Sequence, residues 1–449
     1  MRVANEAAIV RLEERLEADD IHGLWIIFHD YSGRACVKWA PRPAIASALR
    51  TGGVFAKANL NFTIDDVQVD QPRFGADTGD FFAVPDPDTY APVPYRPGIG
   101  RVYTYLCSEG GELWAGCPRG RLNAALAALA ARGYSLRVAY EPEFTLYRET
   151  DEGWVAADRF AMYSADRVDA FHELLERINS AMLEQSVRVV QIGSEYGAGQ
   201  LEVNLHHEKP LKAADDLNTL RETVRAIARD QGYLASFMPK PFDDAAGNGL
   251  HVHLSLWSAD GSQDRSEGDD PDTISTPLLH FIGGLLSHAP AICGVGAPTV
   301  NSYKRLQPAS WAPAHIAFGS GNRSALVRIP GSTRNRIEFR AGDNTSNPYL
   351  FLTALISAGI DGMDRELDPG TPSQFDLGHA TTEQLLGKGV ELLPRTAREA
   401  LNAVEQDQVI LEGLGPVCGP EFLRVKWNEF SRYSKQVSEW ERQVYFERI

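Results

Sequence analysis

Apolar segments of this chain carry polar residues at every second position, as in AYEPEF, QLEVNL, LHVHLS and RIEFR. A β-strand turns successive side chains to opposite faces, so the alternation fixes which residues share a side. Glu141 and Glu143 stand on one face of one strand, His251, His253 and Ser255 on one face of another, and Arg336, Glu338 and Arg340 on one face of a third. Two carboxylates side by side among apolar neighbours are costly unless a counter-charge sits between them. A divalent cation supplies that charge. Glu195, in the glycine-rich GSEYGAG, and Glu202, in the strand that follows, bring the carboxylates to five. Carboxylates with an imidazole suit Mg2+ or Mn2+, and the arginines among them suit phosphates and carboxylates. Singly, each motif has a plainer reading: a solvated Glu-x-Glu face, a surface His-x-His pair, or, for NRSALVRIP, an edge strand with two exposed arginines. Their joint occurrence among apolar neighbours favours a site, because unpaired buried charge is expensive.

At 449 residues the chain suggests a small domain attached to a larger one. The segments GLWIIFHDYSG, VFAKANLNF and DFFAVPDP read as strands of a small β-rich domain over residues 1–110. RLNAALAALAARG reads as the helix that opens a second domain, 111–449. There, the strand candidates SLRVAYEPEFTLYRE, GQLEVNLHH, GLHVHLSLW and RNRIEFR alternate with the helical VDAFHELLERINSAMLEQ and DDLNTLRETVRAIARDQG, an α+β pattern. Ser258 to Asp272 is polar enough to form an exposed loop, and helix formers dominate from about Arg395 onward. Sixty acidic against 44 basic residues, a net charge of −16, argue against nucleic-acid or anionic-membrane partners. No apolar run is long enough to cross a bilayer, and the N-terminal stretch lacks the apolar core of a secretory signal, so a cytoplasmic protein is expected. The five scattered cysteines suggest neither a disulfide framework nor a metal site.

KPFDDAAGNGLHVHLS, TVNSYKRL, NRSALVRIP, RIEFR and NPYLFLTALISAGIDGM follow one another as they do in the glutamine synthetase family. The chain resembles that family from about Glu141 to Asp361, while the N-terminal third is similar only in general character to its β-grasp domain. The resemblance implies a small N-terminal β-grasp domain followed by a catalytic domain whose curved antiparallel sheet faces a funnel-shaped active site. It implies a homododecamer of two stacked hexameric rings, with the small domain of one subunit completing its neighbour's site. It also implies ATP as co-substrate, glutamate as acyl donor, and two or three Mg2+ or Mn2+ ions per site. Glu143, Glu195 and Glu202 match one metal site, and Glu141, His251 and Glu338 a second. His253, Ser255, Arg323, Arg328 and Arg336 match ATP-contacting positions, and Gly247, Arg305 and Arg340 match positions that hold glutamate. Arg323 and Arg340 are the catalytic candidates, Arg323 for stabilising the transferring phosphoryl group.

The pattern breaks at the amine. Where ammonia-using members carry a glutamate that closes the site, LQPASWAP places Trp311. Where an acidic residue of the small domain should bind and deprotonate ammonium, alignment places Ala56. Ala246 replaces an asparagine that helps hold the glutamate amino group. Losing two anions removes what collects NH4+, while an indole offers apolar surface or cation–π contact to a larger amine. The expected activity is therefore ATP-dependent γ-glutamylation of an amine other than ammonia, of which the family's methylamine, isopropylamine, ethanolamine, polyamine and aniline users are examples. Two alternatives stay open: a glutamine synthetase in which Trp311 only packs its loop, and a non-catalytic nucleotide-binding sensor or scaffold.

Overall fold

The computed structural model describes residues 5–151, 153–268, 273–331 and 335–449; the first four residues of the N-terminal stretch and positions 269–272 of the expected exposed loop lie outside the described residues. Six strands form the first sheet: β1 (Gly23–His29), β2 (Ala35–Pro41), β3 (Gly53–Ala56), β4 (Asp80–Pro85), β5 (Ala91–Pro92) and β6 (Ile99–Cys107). Their order is β2-β1-β6-β4-β3, with β5 beside β6; β1 and β6 run parallel and the other pairs antiparallel. The helix Arg42–Thr51 joins the β1–β2 hairpin to β3, which gives the grasp-like arrangement. At the hairpin tip Gly33 has φ +75°, and a Cβ there would stand 2.8 Å from the carbonyl oxygen of Ser346, so a glycine lets the hairpin touch the rest of the chain.

The second sheet has nine strands: β7 (Tyr134–Thr150), β8 (Gly153–Ala156), β9 (Val189–Ser194), β10 (Gln200–Leu205), β11 (Leu234–Ser236), β12 (Leu250–Ser258), and, after a two-residue β13 (His315–Ile316) outside it, β14 (Phe318–Ser320), β15 (Val327–Ile329) and β16 (Ile337–Phe339). It is curved, almost barrel-like, and follows the order β14-β15-β16-β12-β7-β10-β9. Alternation along β7 explains its two faces. Leu136, Val138, Tyr140 and Phe144 turn inward and are buried, while Glu141 and Glu143 point the other way. The helices Pro210–Asp230 and Pro348–Asp364 supply much of the buried apolar surface, and one continuous core runs from Ile9 to Leu423.

Several expectations need correcting. VFAKANLNF is strand only to Ala56; Lys57–Asn61 is a 3-10 turn, because buried Asn61 accepts from the Phe74 amide at 2.7 Å and donates to Glu421 at 2.8 Å. The expected helix over VDAFHELLERINSAMLEQ breaks at Phe171, whose ring turns in against Tyr233, leaving Ala165–Ala170 and His172–Glu184. NRSALVRIP is not an edge strand. Its β15 lies between β14 and β16, and Arg328 is held by Glu338 directly opposite. Within the polar segment after β12, Ser266 is fully buried, its hydroxyl bridging the Leu256 amide and carbonyl. No single described helix is long and apolar enough to cross a membrane; Thr276–Ser287 and Ala289–Gly296 are apolar together but meet at 75°. The cysteines are free.

At that bend His288 places Nδ1 2.6 Å from Asp407 and Nε2 3.0 Å from Asp361. Burial alone would push its pKa down, but the two carboxylates hold it above the usual value, and both ring nitrogens must donate. With the folded pKa raised, the clamp's stabilisation is fully present below the unfolded pKa and is lost as pH rises through the folded one. The melting temperature of the wild type should therefore fall more steeply above neutral pH than that of His288→Gln; parallel pH profiles would remove the clamp from the stability of these helices.

Candidate active site

Strand register assembles the site. β7 pairs with β12 through Pro142 and with β10 from Glu143 onward, so Glu141 lies opposite His251 and Glu143 opposite Glu202. On the far side of β12, His253 lies opposite Glu338. Glu195 follows β9 at the tight turn into β10, its amide donating to the Gln200 carbonyl. The carboxylates expected from sequence thus line one face of the sheet.

Their contacts differ from one to the next. Glu338 is fully buried, accepting from Arg328 at 2.7 Å and from Arg340, with His251 Nδ1 3.3 Å away. Burial would raise its pKa, but Arg340, the two histidines and Arg328 bring it down to about 2. Glu141 lies 3.7 Å from His251 Nδ1 and 2.9 Å from His253 Nε2. Against the opposing effect of burial, those imidazoles hold its carboxyl well below the usual range. His251 itself is pushed down by burial and by Arg340, which favours the neutral, ligating form. Both nitrogens of His253 are buried without a hydrogen bond, because the 2.9 Å approach to Glu141 lacks hydrogen-bond alignment. Glu143 accepts from the Gly249 amide at 2.7 Å and from Gln200 Nε2 at 3.1 Å.

Glu202 is pushed up to about 8 by burial and then by Glu141, Glu143 and Glu195, and Glu195 up to about 7 by burial and Glu143. Such mutual repulsion, with orphaned imidazole nitrogens alongside, is what a divalent cation relieves, and the oxygen-rich donor set fits Mg2+ or Mn2+. The tightest groups are Glu141 with His253 and Glu338, and Glu141 with Glu202 and His251, the donor atoms of each lying within 4.8 Å of one another. Glu141 belongs to both, and His253, expected at the nucleotide, joins the first. Glu143 and Glu195 belong to neither group, although their charge acts on Glu202.

Since Glu195 and Glu202 titrate above the ordinary carboxylate value, their ionisation costs stability as pH rises from about 4.5 to 8, and a cation must displace their protons at low pH. Mn2+ affinity measured by calorimetry should rise between pH 6 and pH 8, by up to about tenfold per proton displaced and per pH unit. A flat profile would detach these two residues from cation binding.

Arg305 is buried and donates to the carbonyls of Gly342 and Arg340 at 3.2 and 3.3 Å, with no carboxylate partner among the described residues. Two glycines let it lie flat: a Cβ would meet its Cγ at 2.9 Å from Gly247, and its Nη2 at 2.5 Å from Gly249. Burial pushes its pKa down while Glu143 pulls it up, leaving a guanidinium able to take a carboxylate. Arg340 Nε donates to the Arg323 carbonyl at 3.1 Å, and the exposed Arg323 side chain acts on Glu195. Ser255 accepts from Trp257 Nε1 at 2.9 Å, and Arg336 sits half-buried just ahead of β16. Trp311 is 76% exposed on a left-handed backbone, φ +62°, two residues after Ala309 at φ +59°. Within the chain it packs little, which counters the loop-packing alternative. Ala56 is not gathered with the others; it ends β3, exposed at the edge of the first sheet.

Sequence reasoning missed four residues. Tyr163, exposed at φ +55°, has its pKa raised first by Glu195 and then by burial, with Arg323, Glu202 and Glu143 also acting on it. Nothing periodic in AMYS marks it. Gln200 and Asn204 share the face of Glu202 and bond Glu143 and Glu202, so the period-two rule would have found both. Asn344 supports the site from outside, donating to the carbonyls of Glu143 and Gly249, each at 3.0 Å.

A curved sheet with clustered carboxylates, histidines and arginines on one face offers donors for divalent cations and guanidinium groups for phosphates and carboxylates. Residues 115–445 match the family model for the glutamine synthetase catalytic domain, and the chain belongs to the glutamine synthetase family. It is 36% identical to a glutamine synthetase of Halobacterium salinarum over 81% of this chain and 82% of that one. It is 35% identical to a glutamate–methylamine ligase of Methyloversatilis universalis over 97% and 98%. Among solved structures it resembles a GmaS–ADP complex, with a TM-score of 0.88 at 31% identity over 97% of this chain and 99% of that one. It also resembles ligand-free GmaS, at 0.86 and 32% over 96% and 98%.

Proposed function

We propose that this chain joins the γ-carboxyl of glutamate to a small amine other than ammonia, at the expense of ATP and through γ-glutamyl phosphate. The observation that carries the amine choice is Trp311, an exposed indole at the loop position where the family resemblance implies a carboxylate in ammonia-using members. The near full-length similarity to a glutamate–methylamine ligase supports a short alkyl amine. Glu141, Glu143, Glu195, Glu202, His251 and Glu338 would hold two or three divalent cations, with His253 beside them. When bound, Mg2+ or Mn2+ supplies neutralising charge for the phosphates of ATP.

The remaining work falls to side chains. A carboxylate resists attack by an amine until it is phosphorylated, so the acyl donor must be fixed in line with the γ-phosphate. Arg305 and Arg340 would grip glutamate, and Arg323 would steady the moving phosphoryl group; His253, Ser255, Arg328 and Arg336 would position the nucleotide. The attacking amine must be neutral, and Tyr163, whose phenol feels the charge of Glu195, would be a candidate to meet it. Residues 1–110 would form the small domain, and in a dodecamer its exposed β3 edge, with Ala56, would close a neighbouring subunit's site. A monomer by light scattering would contradict that assembly.

The second reading is a glutamine synthetase, favoured by the similarity to the Halobacterium enzyme. A panel with ATP, Mg2+ and glutamate, offering ammonium, methylamine, longer alkylamines, diamines and aniline, decides between them by phosphate release and glutamylated product. Methylamine or another alkylamine should exceed ammonium in kcat/KM. Ammonium in first place would establish the second reading, and silence across the panel would leave a nucleotide-binding scaffold.

A further inference from the structure

A cavity of about 470 Å3 opens on the side of the catalytic sheet away from the carboxylates. Two contacts establish the side. Phe237 packs on Phe144 with ring centroids 5.3 Å apart, and burial raises the pKa of Tyr140 while the nearby charge of Arg221 opposes that rise; Phe144 and Tyr140 point away from Glu141 and Glu143. The helix Pro210–Asp230, the β1–β2 hairpin and the segment after β16 supply the walls, and the volume falls in the range of small-molecule sites, about 300–1,000 Å3.

Charge in the cavity is out of balance. Arg34 is neutralised by Asp30 and Asp66. Arg221 is 5% exposed and has no carboxylate within ion-pair distance among the described residues; it donates to the carbonyls of Asn344 and Ser346 at 2.6 and 3.2 Å and to Asn218 Oδ1 at 3.0 Å. Arg225, one turn on, lies over the Phe237 ring at 5.1 Å and makes no hydrogen bond or ion pair among the described residues. The remaining acid, Glu222, lies 3.4 Å from His29 Nε2 and acts on both Arg221 and Arg225 by its charge without a direct ion pair to either among the described residues, so one carboxylate faces two guanidinium groups. Burial and then the charge of Arg225 push Arg221 down to about 10, more than the charge of Glu222 offsets. Phe237, Met238 and Ile64 add apolar wall.

We infer that this cavity binds a small organic anion, a carboxylate or phosphate with a short apolar stem, held by Arg225 and Arg221 and distinct from the substrates of the catalytic face. Paired guanidinium forks match such groups bidentately. Asn344 links the cavity to the site: its carbonyl holds Arg221, while its side-chain amide holds the carbonyls of Glu143 and Gly249. An anion drawing on Arg221 would therefore bear on the backbone that carries Glu143, which makes the cavity a place for an effector.

The test is calorimetric titration of the full-length protein with succinate and, separately, methyl phosphate, each against NaCl of equal ionic strength. The two anions distinguish a carboxylate from a phosphate ligand. Saturable binding of at least one is expected in the wild type and in Arg340→Gln, which disables the proposed glutamate grip. Arg225→Gln should weaken it about tenfold or more and Arg225→Lys should partly restore it. Because Arg225 is exposed, unchanged melting of the ligand-free variant would show that the fold is intact. Binding unaffected by Arg225→Gln, binding lost in Arg340→Gln, or no saturable binding of either anion beyond the salt control would each overturn the inference.

Discussion

Replacing Glu338 by glutamine should lower ATP-dependent phosphate release about a thousandfold, some 4 kcal/mol in the barrier. The substitution is nearly isosteric, so it removes charge with little change in volume. Its effect is large because Glu338 is buried against Arg328, Arg340 and His251 and stays ionised down to about pH 2. A neutral amide leaves two guanidinium groups facing one partial charge and takes an anionic donor from the group formed with Glu141 and His253. Mn2+ binding should weaken in parallel, by at least the roughly 10- to 100-fold seen when groups supporting a metal ligand are lost. Turnover within tenfold of wild type, in a protein of unchanged melting temperature, would exclude Glu338 from the phosphate chemistry.

Trp311→Glu should raise the ratio of kcat/KM for ammonium over methylamine by about a hundredfold, the scale on which a rebuilt pocket separates closely related substrates. The indole is exposed and its backbone already left-handed, so a replacement there disturbs little internal packing. Trp311→Ala separates two effects: it removes the aromatic surface without adding a carboxylate, so a gain for ammonium only in the glutamate variant assigns the effect to charge. A ratio unchanged in both variants would take Trp311 out of amine selection.

Period two was enough to read the carboxylate face, because alternation is local and survives any packing of the strand. Neighbour relations were not legible. That Glu141 would meet His251 on one flank while Glu143 met Glu202 on the other depends on β7 changing partners near Pro142, a long-range pairing with no local mark. For the same reason His253 emerged beside Glu141 and Glu338, and β15 emerged as an inner strand held by Arg328 and Glu338. Gln200 and Asn204 carried the right spacing, yet amides bear no formal charge and so did not stand out. Arg221 and Arg225, four apart on a helix, look in sequence like a solvated stripe; only the hairpin that Gly33 brings against Ser346 encloses them.

The change of partners along β7 also bears on how such a protein diversifies. A shift of one residue in that strand would turn Glu141 and Glu143 into the apolar interior together, so an insertion or deletion there would disrupt the core and the carboxylate face at once. Trp311 and Ala56 sit on a loop and at a sheet border, where the backbone tolerates change. Under the proposed function, a new amine substrate would be acquired at that periphery one substitution at a time while the carboxylate face stays locked in place.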